Sequence, residues 1–325
     1  MLKISGMKRI ALLLFLILAA PLAAAQGWPA RPVKILVPFA PGGTADTLGR
    51  LAAQKLSEQL KESFVVENRP GAGGTIASEL VAKAAPDGYT LLVSGVASHA
   101  IAPALARGVP YDPVKDFTHI ALFGGPPAVL VVNPDVPAGD LQEFIRLLKA
   151  QPGKYSYGSP GNGTHGQLVA ELFKQLAGVS MQHVPYKGGA AAMADLIAGH
   201  VPAASNTLTS ASSHIRSGRA RALAVSSASR LPDYPNLPTY AELGYPQLVA
   251  TIWFALSGPA GMPAEIVERL NAGVRRGLDA PDARQRLRPE SIEPGKLSAR
   301  EFTEFVAAEA RRWAPVVRAS GARSD

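Results

Sequence analysis

The sequence has no cysteine and comparatively little charge. Without cysteine there can be no disulfide, thiol nucleophile or thiolate metal site, so stability must come from a packed core. Charged residues make up 18% and hydrophobic residues 47% of the 325 residues, which excludes an intrinsically disordered chain. No collagen-like period and no repeat of 20 to 50 residues is present, so neither a fibrous protein nor a solenoid is supported.

Long apolar runs are absent beyond the N-terminus. Three basic residues precede the apolar run 10–20, and small residues at 23–25 follow it, an order typical of a secretory signal peptide. The run is shorter than the ~20 residues that a membrane span needs. We predict cleavage after Ala25, export to the periplasm, and a mature chain from Gln26 with no membrane span. An uncleaved anchor is the alternative.

The formal net charge of +8 does not indicate a nucleic-acid partner. Arginine residues are numerous in residues 261–325, but they alternate with aspartate and glutamate. Because no tract of one sign results, these residues are typical of solvated helix faces, and we predict no nucleic-acid binding.

Short β-rich segments alternate with helical patterns along the mature chain. Residues 33–37 predict a strand and residues 48–60 a helix, and the pattern then repeats. This alternation favours an α/β layer with a largely parallel sheet, and a second unit of the same kind begins near residue 128. Later strands are predicted at 64–67, 90–93, 128–132, 154–157, 182–184, 221–225 and 252–256, and later helices at 76–84, 141–148, 168–176, 193–198, 266–274 and 302–313.

Four glycine-rich turns each precede a predicted helix, at residues 41–44, 71–75, 159–164 and 187–189. A helix N-terminus has unpaired N–H groups and the positive end of the helix dipole, and glycine lets an anion approach that backbone closely. Such turns can bind a carboxylate without a basic side chain. Each turn alone is a weak signal, because any α/β protein needs turns before its helices.

Motifs of common enzymes and cofactor sites are absent. The turns match neither a phosphate loop nor a dinucleotide fingerprint, and no two histidines have the spacing of helical zinc ligands. There is no Gly-x-Ser-x-Gly elbow. We therefore predict no cofactor and no metal, and only Ser94, Ser98 and His99 form a cluster that an exported hydrolase could use.

Several motifs, taken in order, resemble the periplasmic substrate-binding subunits of tripartite tricarboxylate transporters, also called Bug receptors. The resemblance covers nearly the whole mature chain. It rests on PFAPGGTAD at 38–46, VENRPGAGG at 66–74, APDGYTLL at 85–92, YGSPG at 157–161, VPYKG at 184–188, Trp253 and PAGMP at 259–263.

The resemblance implies a two-lobed type II periplasmic binding fold with a ligand cleft between closing lobes. Residues 26–127 and 250–325 would form lobe 1, and residues 128–249 would form lobe 2. One ligand carboxylate would be bound mainly through backbone groups and ordered water. The implied site residues are Phe39, Ala40, Pro41, Gly42, Gly43, Thr44, Ser94 and Ser98 on one wall, and Tyr157, Ser159, Gly161, Gly163, Thr164, His165, Lys187, Gly188, Gly189, Ala190 and Asn206 on the other.

The chain departs from the family pattern at two positions. Family members often carry aspartate where this chain has Pro202 and Asn206. If position 206 faces the cleft, an amide in place of a carboxylate should weaken selection for a ligand amine and tolerate a second ligand carboxylate.

The expected function is that of a monomeric, non-enzymatic receptor for a small organic carboxylate, which it delivers to the membrane subunits of a transporter. The ligand stays open among mono-, di- and tricarboxylates, aromatic acids, amino acids and amides. One alternative is a receptor that docks on a membrane sensor kinase, and a second is the exported hydrolase.

Overall fold

A computed structural model describes residues 27–105 and 108–320. The predicted signal peptide and cleavage site lie outside these residues. Within them the chain forms ten strands, β1 (Val33–Val37), β2 (Phe64–Asn68), β3 (Thr90–Gly95), β4 (Phe117–Gly124), β5 (Ala128–Val132), β6 (Ser156–Ser159), β7 (Gln182–Pro185), β8 (Ala203–Thr207), β9 (Arg221–Val225) and β10 (Phe254–Pro259). The α-helices are α1 (Thr44–Leu60), α2 (Thr75–Ala82), α3 (Leu141–Ala150), α4 (His165–Ala177), α5 (Gly189–Ile197), α6 (Leu208–Arg216), α7 (Ala264–Asp279), α8 (Pro281–Leu287) and α9 (Ala299–Ala319).

The strands form two five-stranded sheets, in the orders β2-β1-β3-β10-β4 and β7-β6-β8-β5-β9. Helices pack on each sheet, so the prediction of two α/β lobes is confirmed. The prediction of largely parallel sheets holds for four strands of each sheet, which share one direction, and fails for the fifth. Among the described strands, β10 runs antiparallel to both of its neighbours in the first sheet, and β5 does so in the second.

The chain crosses between the sheets twice, and this explains the antiparallel strands. β5 follows the first crossing and β10 follows the second, and each enters its new sheet at the edge where the parallel strands end. Phe254 of β10 accordingly pairs with Gly95 at the end of β3, and Ala128 of β5 pairs with Thr207 at the end of β8. The crossings therefore lie beside the carboxyl ends of the parallel strands.

The two crossing segments also pair with each other. Pro127 forms an isolated antiparallel bridge with Thr251, and the Ile252 N–H donates to the Pro126 carbonyl at 3.1 Å. A Cβ atom built on Gly125 would lie 1.5 Å from the Ile252 carbonyl oxygen, so only glycine permits this approach.

The C-terminal helix α9 joins the two lobes on one side. It packs against β4 and the π-helical turn Ala97–Ile101 of the first lobe and against α4 of the second. Its buried Glu309 accepts hydrogen bonds from the indole of Trp253 at 3.1 Å and from that of Trp313 at 2.9 Å. Because Trp253 directly precedes β10, this carboxylate ties α9 to the strand that follows the second crossing.

Most predicted elements are present, and four were missed. β5 and β9 have the predicted bounds, whereas α5 begins four residues earlier than predicted and β10 begins two residues later. The sequence patterns did not predict β4, β8, α6 or α8. β8 consists of small and polar residues, which have no strong strand preference, and its position in the middle of a sheet comes from tertiary pairing.

Helices long and apolar enough to cross a bilayer do not occur in residues 27–105 or 108–320.

Replacing Gly125 should destabilise the fold strongly. In Gly125→Ala the new methyl group collides with backbone that is itself paired, and we expect a loss of about 3 kcal/mol in the free energy of unfolding, measured with urea. The control is Gly139→Ala, where the nearest neighbour is the movable Glu143 carboxylate at 3.2 Å. Equal stability of the two variants would show that the crossing does not need this close contact.

Candidate ligand-binding site at the turns between the lobes

All four predicted glycine turns precede helices, as expected. The first lies between β1 and α1, the second between β2 and α2, the third between β6 and α4, and the fourth between β7 and α5. Gly43, Gly74, Thr164 and Gly188 are the respective N-cap residues. In open α/β sheets, ligands bind at the carboxyl ends of the strands, so the turns stand where a site is expected.

The first turn is held from below by a buried carboxylate. The Asp46 Oδ2 atom accepts the Gly42 N–H at 3.0 Å and the Arg50 Nε–H at 3.0 Å. Asn68 at the end of β2 donates to Asp46 Oδ1 at 2.9 Å and to the Phe39 carbonyl at 3.0 Å. Asp46 and Asn68, which lie 22 residues apart in the sequence, thus fix the first turn together.

Electrostatics keep Asp46 charged. Burial by itself would raise the pKa of this carboxyl, but hydrogen bonds from Arg50, the Gly42 backbone and Asn68 outweigh it and lower the pKa to about 2. Because the guanidinium of Arg50 compensates the charge of Asp46, this carboxylate would not strongly repel an anion at the turn.

The predicted residues of the first wall divide into two groups. Phe39 to Thr44 form the turn, and residues 40–43 are exposed. Ser94 and Ser98 are instead buried: the Ser94 hydroxyl lies 2.7 Å from that of Ser257, and the Ser98 hydroxyl lies 2.9 Å from His99 Nδ1. These two serines stay predictions as ligand contacts, and the structure gives each an internal partner.

The third and fourth turns form one continuous surface on the second lobe. The Gly188 N–H donates to the Pro160 carbonyl at 2.9 Å, and the Tyr186 N–H donates to the Ser159 carbonyl at 3.1 Å. Thr164 caps α4 by accepting the Gln167 N–H and donates its hydroxyl proton to the Gly161 carbonyl at 2.7 Å. The structure therefore brings Gly161, Gly163, Thr164, Lys187, Gly188, Gly189 and Ala190 together.

Asn206 contacts the fourth turn through one end of its amide, and the other end binds its own backbone neighbour. Its Nδ2 donates to the Gly189 carbonyl at 2.9 Å, and its Oδ1 accepts the Thr207 N–H at 2.9 Å. The side chain is fully buried. The hypothesis that this position selects ligand charge stays a prediction, but the contacts add another role, which is to hold Gly189.

Tyr157 and His165 are buried within the second lobe. The Tyr157 hydroxyl donates to Glu171 Oε1 at 2.6 Å, and the His165 ring meets the Trp313 ring edge-on with centroids 5.6 Å apart. Burial, together with the positive charge of Arg312, lowers the pKa of His165 to about 3, so its ring is neutral. Lys187 is exposed.

The two walls face each other at short range. A Cβ atom built on Gly163 of the second lobe would lie 3.9 Å from the side chain of Ile101 in the first. Glu290 in the turn after α8 contacts both sides, since its carboxylate accepts from the Thr44 hydroxyl at 3.5 Å and its carbonyl accepts from the Thr209 hydroxyl at 3.4 Å. The lobes are therefore in contact beside the turns.

A cavity of about 530 Å³ lies between the lobes at a different place. Leu231 and Asp233 line it on one side, and Arg284 and Arg288 line it on the other. Arg288 is paired with Asp233 at 2.7 Å, and Arg284 with Asp279. Because its charges are already paired, the chemistry of the glycine turns, rather than this volume, identifies the candidate site.

Sequence reasoning missed His183, Gln167, Asp46 and Asn68. His183 Nε2 lies 2.7 Å from the Ser159 hydroxyl, and its Nδ1 lies 3.2 Å from Gln167 Nε2. Asp46 in the first turn of a helix after Gly-Gly is a recognisable local signal. His183 gives no such signal, because its partner Ser159 is 24 residues away and meets it only through strand pairing.

The Ser159–His183 pair is not arranged as nucleophile and base. Gln167 Nε2 can only donate, so the facing Nδ1 carries no proton and the proton is on Nε2. The imidazole therefore donates to Ser159 and cannot accept its proton. Ser98 and His99, the cluster considered for a hydrolase, are both buried in the first lobe.

Replacing Asp46 should reduce stability in a pH-dependent way. Its pKa is lowered from 3.8 to about 2, so the carboxylate contributes stability above pH 3.8 and loses that contribution as the pH falls toward 2. We expect Asp46→Asn to lose about 2 kcal/mol of unfolding free energy near neutral pH, and the difference from wild type to shrink in acid. Denaturant unfolding across this pH range checks it, with the exposed Asp135→Asn as control; a pH-independent difference would contradict the assignment.

Comparisons with known proteins identify the family of the chain. Residues 48–322 match the model of the family described as "Tripartite tricarboxylate transporter family receptor". Protein BugT of Bordetella pertussis is 38% identical over 94% of each chain. Among solved structures, R. palustris Rpa4515 with adipate is 38% identical with a TM-score of 0.77, covering 91% of this chain and 99% of that one. MatC from Rhodopseudomonas palustris with bound malate is 34% identical with a TM-score of 0.73, covering 89% and 100%.

These matches extend over nearly the whole chain, and the family is one of periplasmic solute-binding receptors rather than enzymes. With two α/β lobes and opposed glycine turns at the strand ends, the chain belongs to the tripartite tricarboxylate transporter receptor family, that of the Bug proteins.

Proposed function

We propose that this protein is exported to the periplasm, binds a small organic carboxylate between its two lobes, and delivers it to the membrane subunits of a tripartite tricarboxylate transporter. The observation that carries the proposal is the opposition of glycine turns from both lobes, each at a helix start. The adipate and malate bound to two relatives support a carboxylate as the ligand class.

The ligand carboxylate would bind to backbone rather than to a basic side chain. The first N–H groups of α1, α4 and α5 have no partner within their own helices, and the positive ends of the helix dipoles point toward the same region. We place the carboxylate between residues 42–44 of the first lobe and residues 161–164 and 188–190 of the second. Asp46 and Asn206 would hold the turns in place without contacting the ligand.

Closure of the lobes would strengthen these bonds. When water leaves the cleft, the lower local dielectric increases the energy of each N–H to carboxylate bond. Glu290, which contacts Thr44 and Thr209, would be one of the contacts made on closing. A ligand that favours the closed form would thereby present one defined surface to the membrane partners.

A selective stabilisation by carboxylates is expected from the mature chain starting at Gln26. At ~100 times its dissociation constant a ligand adds about 2.7 kcal/mol of stability and should raise the melting temperature by about 5 °C. The probes are adipate and malate, with adipamide as the uncharged control, in protein first unfolded and refolded to remove any bound solute. An equal shift with adipamide would contradict carboxylate recognition, and uptake of a hit that persists without the membrane subunits would contradict delivery.

Changing Asn206 to aspartate should weaken ligand binding through the fourth turn. The carboxylate cannot donate to the Gly189 carbonyl, so two acceptors would face each other where a 2.9 Å hydrogen bond now exists. We expect about a tenfold loss of affinity for adipate by calorimetry, on the scale of one hydrogen bond. The exposed Asn236→Asp serves as the charge-matched control, and an unchanged affinity in Asn206→Asp would remove this residue from the site.

A further inference from the structure

A chain of hydrogen bonds connects His183 on β7 to the third glycine turn. His183 Nε2 lies 2.7 Å from Ser159 Oγ, and Ser159 Oγ lies 3.1 Å from the Gly161 carbonyl. On the other side of the ring, Nδ1 lies 3.2 Å from Gln167 Nε2, and Gln167 Oε1 accepts the Gly163 N–H at 2.7 Å. One imidazole therefore links the start of the turn to its end.

The proton positions in this chain have one solution. The Gly163 N–H can only donate, so the Gln167 oxygen must face it and the amide nitrogen must face His183. His183 Nδ1 is then the acceptor, and Nε2 carries the proton and donates to Ser159. The Ser159 hydroxyl, which also accepts the Gly161 N–H at 3.2 Å, donates its own proton to the Gly161 carbonyl.

We propose that His183 is a positioning residue of the ligand site, which holds the turn 159–163 in its binding geometry only as the neutral Nε2–H tautomer. The inference rests on the proposed function, since it assigns a purpose to a turn proposed to bind the carboxylate. His183 itself does not contact the ligand, because both of its ring nitrogens are used by Ser159 and Gln167.

A second proton on the His183 ring would break one of the hydrogen bonds of this network. A proton on Nδ1 would face the Gln167 NH₂ group, donor against donor. Rotating the Gln167 amide would relieve that contact but would turn the NH₂ group toward the Gly163 N–H, again donor against donor. Acid therefore releases one end of the turn, and ligand affinity falls with it.

The surroundings keep the ring neutral near pH 7. Burial lowers the pKa of His183 from 6.5, the carboxylate of Glu171 on α4 opposes this, and the ammonium of Lys174 adds to it. Glu171 and Lys174 are paired with each other at 2.8 Å, and Tyr157 on β6 stacks on the imidazole with centroids 5.0 Å apart. We therefore expect the turn to lose this hydrogen bond only below neutral pH.

Substitution of Gln167 by glutamate separates this role from simple packing. In Gln167→Glu the introduced carboxylate would still accept the Gly163 N–H, while its second oxygen would accept a proton from Nδ1, so the protonated ring would fit the network. We expect this variant to have a raised pKa of His183. We also expect the hydrogen bond from the Gly163 N–H to the side chain of residue 167 to persist in acid. Any carboxylate beside the ring would raise the pKa of His183, so the persistence of the turn in acid is the change that a residue with only a packing role would not show.

The first readout needs no ligand. Nitrogen-15 NMR of the mature wild-type protein should show the Nε2–H tautomer of His183, and its titration should move to higher pH in Gln167→Glu. At the same acidic pH, the Gly163 amide should exchange with solvent faster in wild type than in Gln167→Glu. A Nδ1–H tautomer, or equal exchange rates, would overturn the proposal even if the protein binds carboxylates.

The second readout is affinity for adipate, measured by calorimetry at about pH 7.5 and at the acidic pH at which NMR shows wild-type His183 to be protonated. We expect wild type to lose about tenfold more affinity on acidification than Gln167→Glu, a factor on the scale of one hydrogen bond. His200→Gln, which alters an exposed histidine, should follow wild type. Comparison at equal pH cancels the titration of adipate itself. If no variant binds adipate at either pH, the adipate receptor proposal fails while NMR still decides the role of His183.

Discussion

The close backbone contact between the two crossing segments is the constraint on which the rest of the structure depends. Gly125 lies against the Ile252 carbonyl, and Pro127 bridges to Thr251. Because the chain leaves and enters each sheet at this contact, β5 and β10 must run antiparallel to their neighbours. The same arrangement brings the carboxyl ends of β1 and β6, with their glycine turns, to the two sides of one cleft.

Polar side chains hold the turns through hydrogen bonds. Asp46 holds the first turn, Asn206 holds the fourth, and His183 with Gln167 holds the third. Asp46, Gln167 and Asn206 each bind a backbone group of their turn, and His183 binds the side chains of Ser159 and Gln167. In the proposed function, preorganised backbone donors would bind the anion in place of basic side chains.

The buried carboxylate of Glu309 stabilises the packing of α9 against the segment that contains Trp253. It accepts from two tryptophan indoles and from Arg312, so both of its oxygens have partners and its charge is compensated. Helix α9 is thereby attached to the crossing strand at Trp253 while it packs on both lobes.

The sequence by itself determined the local elements and the chemistry of the candidate site. Apolar periodicity located β1, β5 and α4, and glycines before helix starts located all four turns, because both signals depend on neighbours within a few residues. Only the tertiary structure decided the direction of β5 and β10, the existence of β4 and β8, and the interior position of Ser94 and Ser98. It also decided that His183 meets Ser159, because that contact requires two parallel strands in register, and strand register is set by packing across the whole sheet rather than by local residue preference.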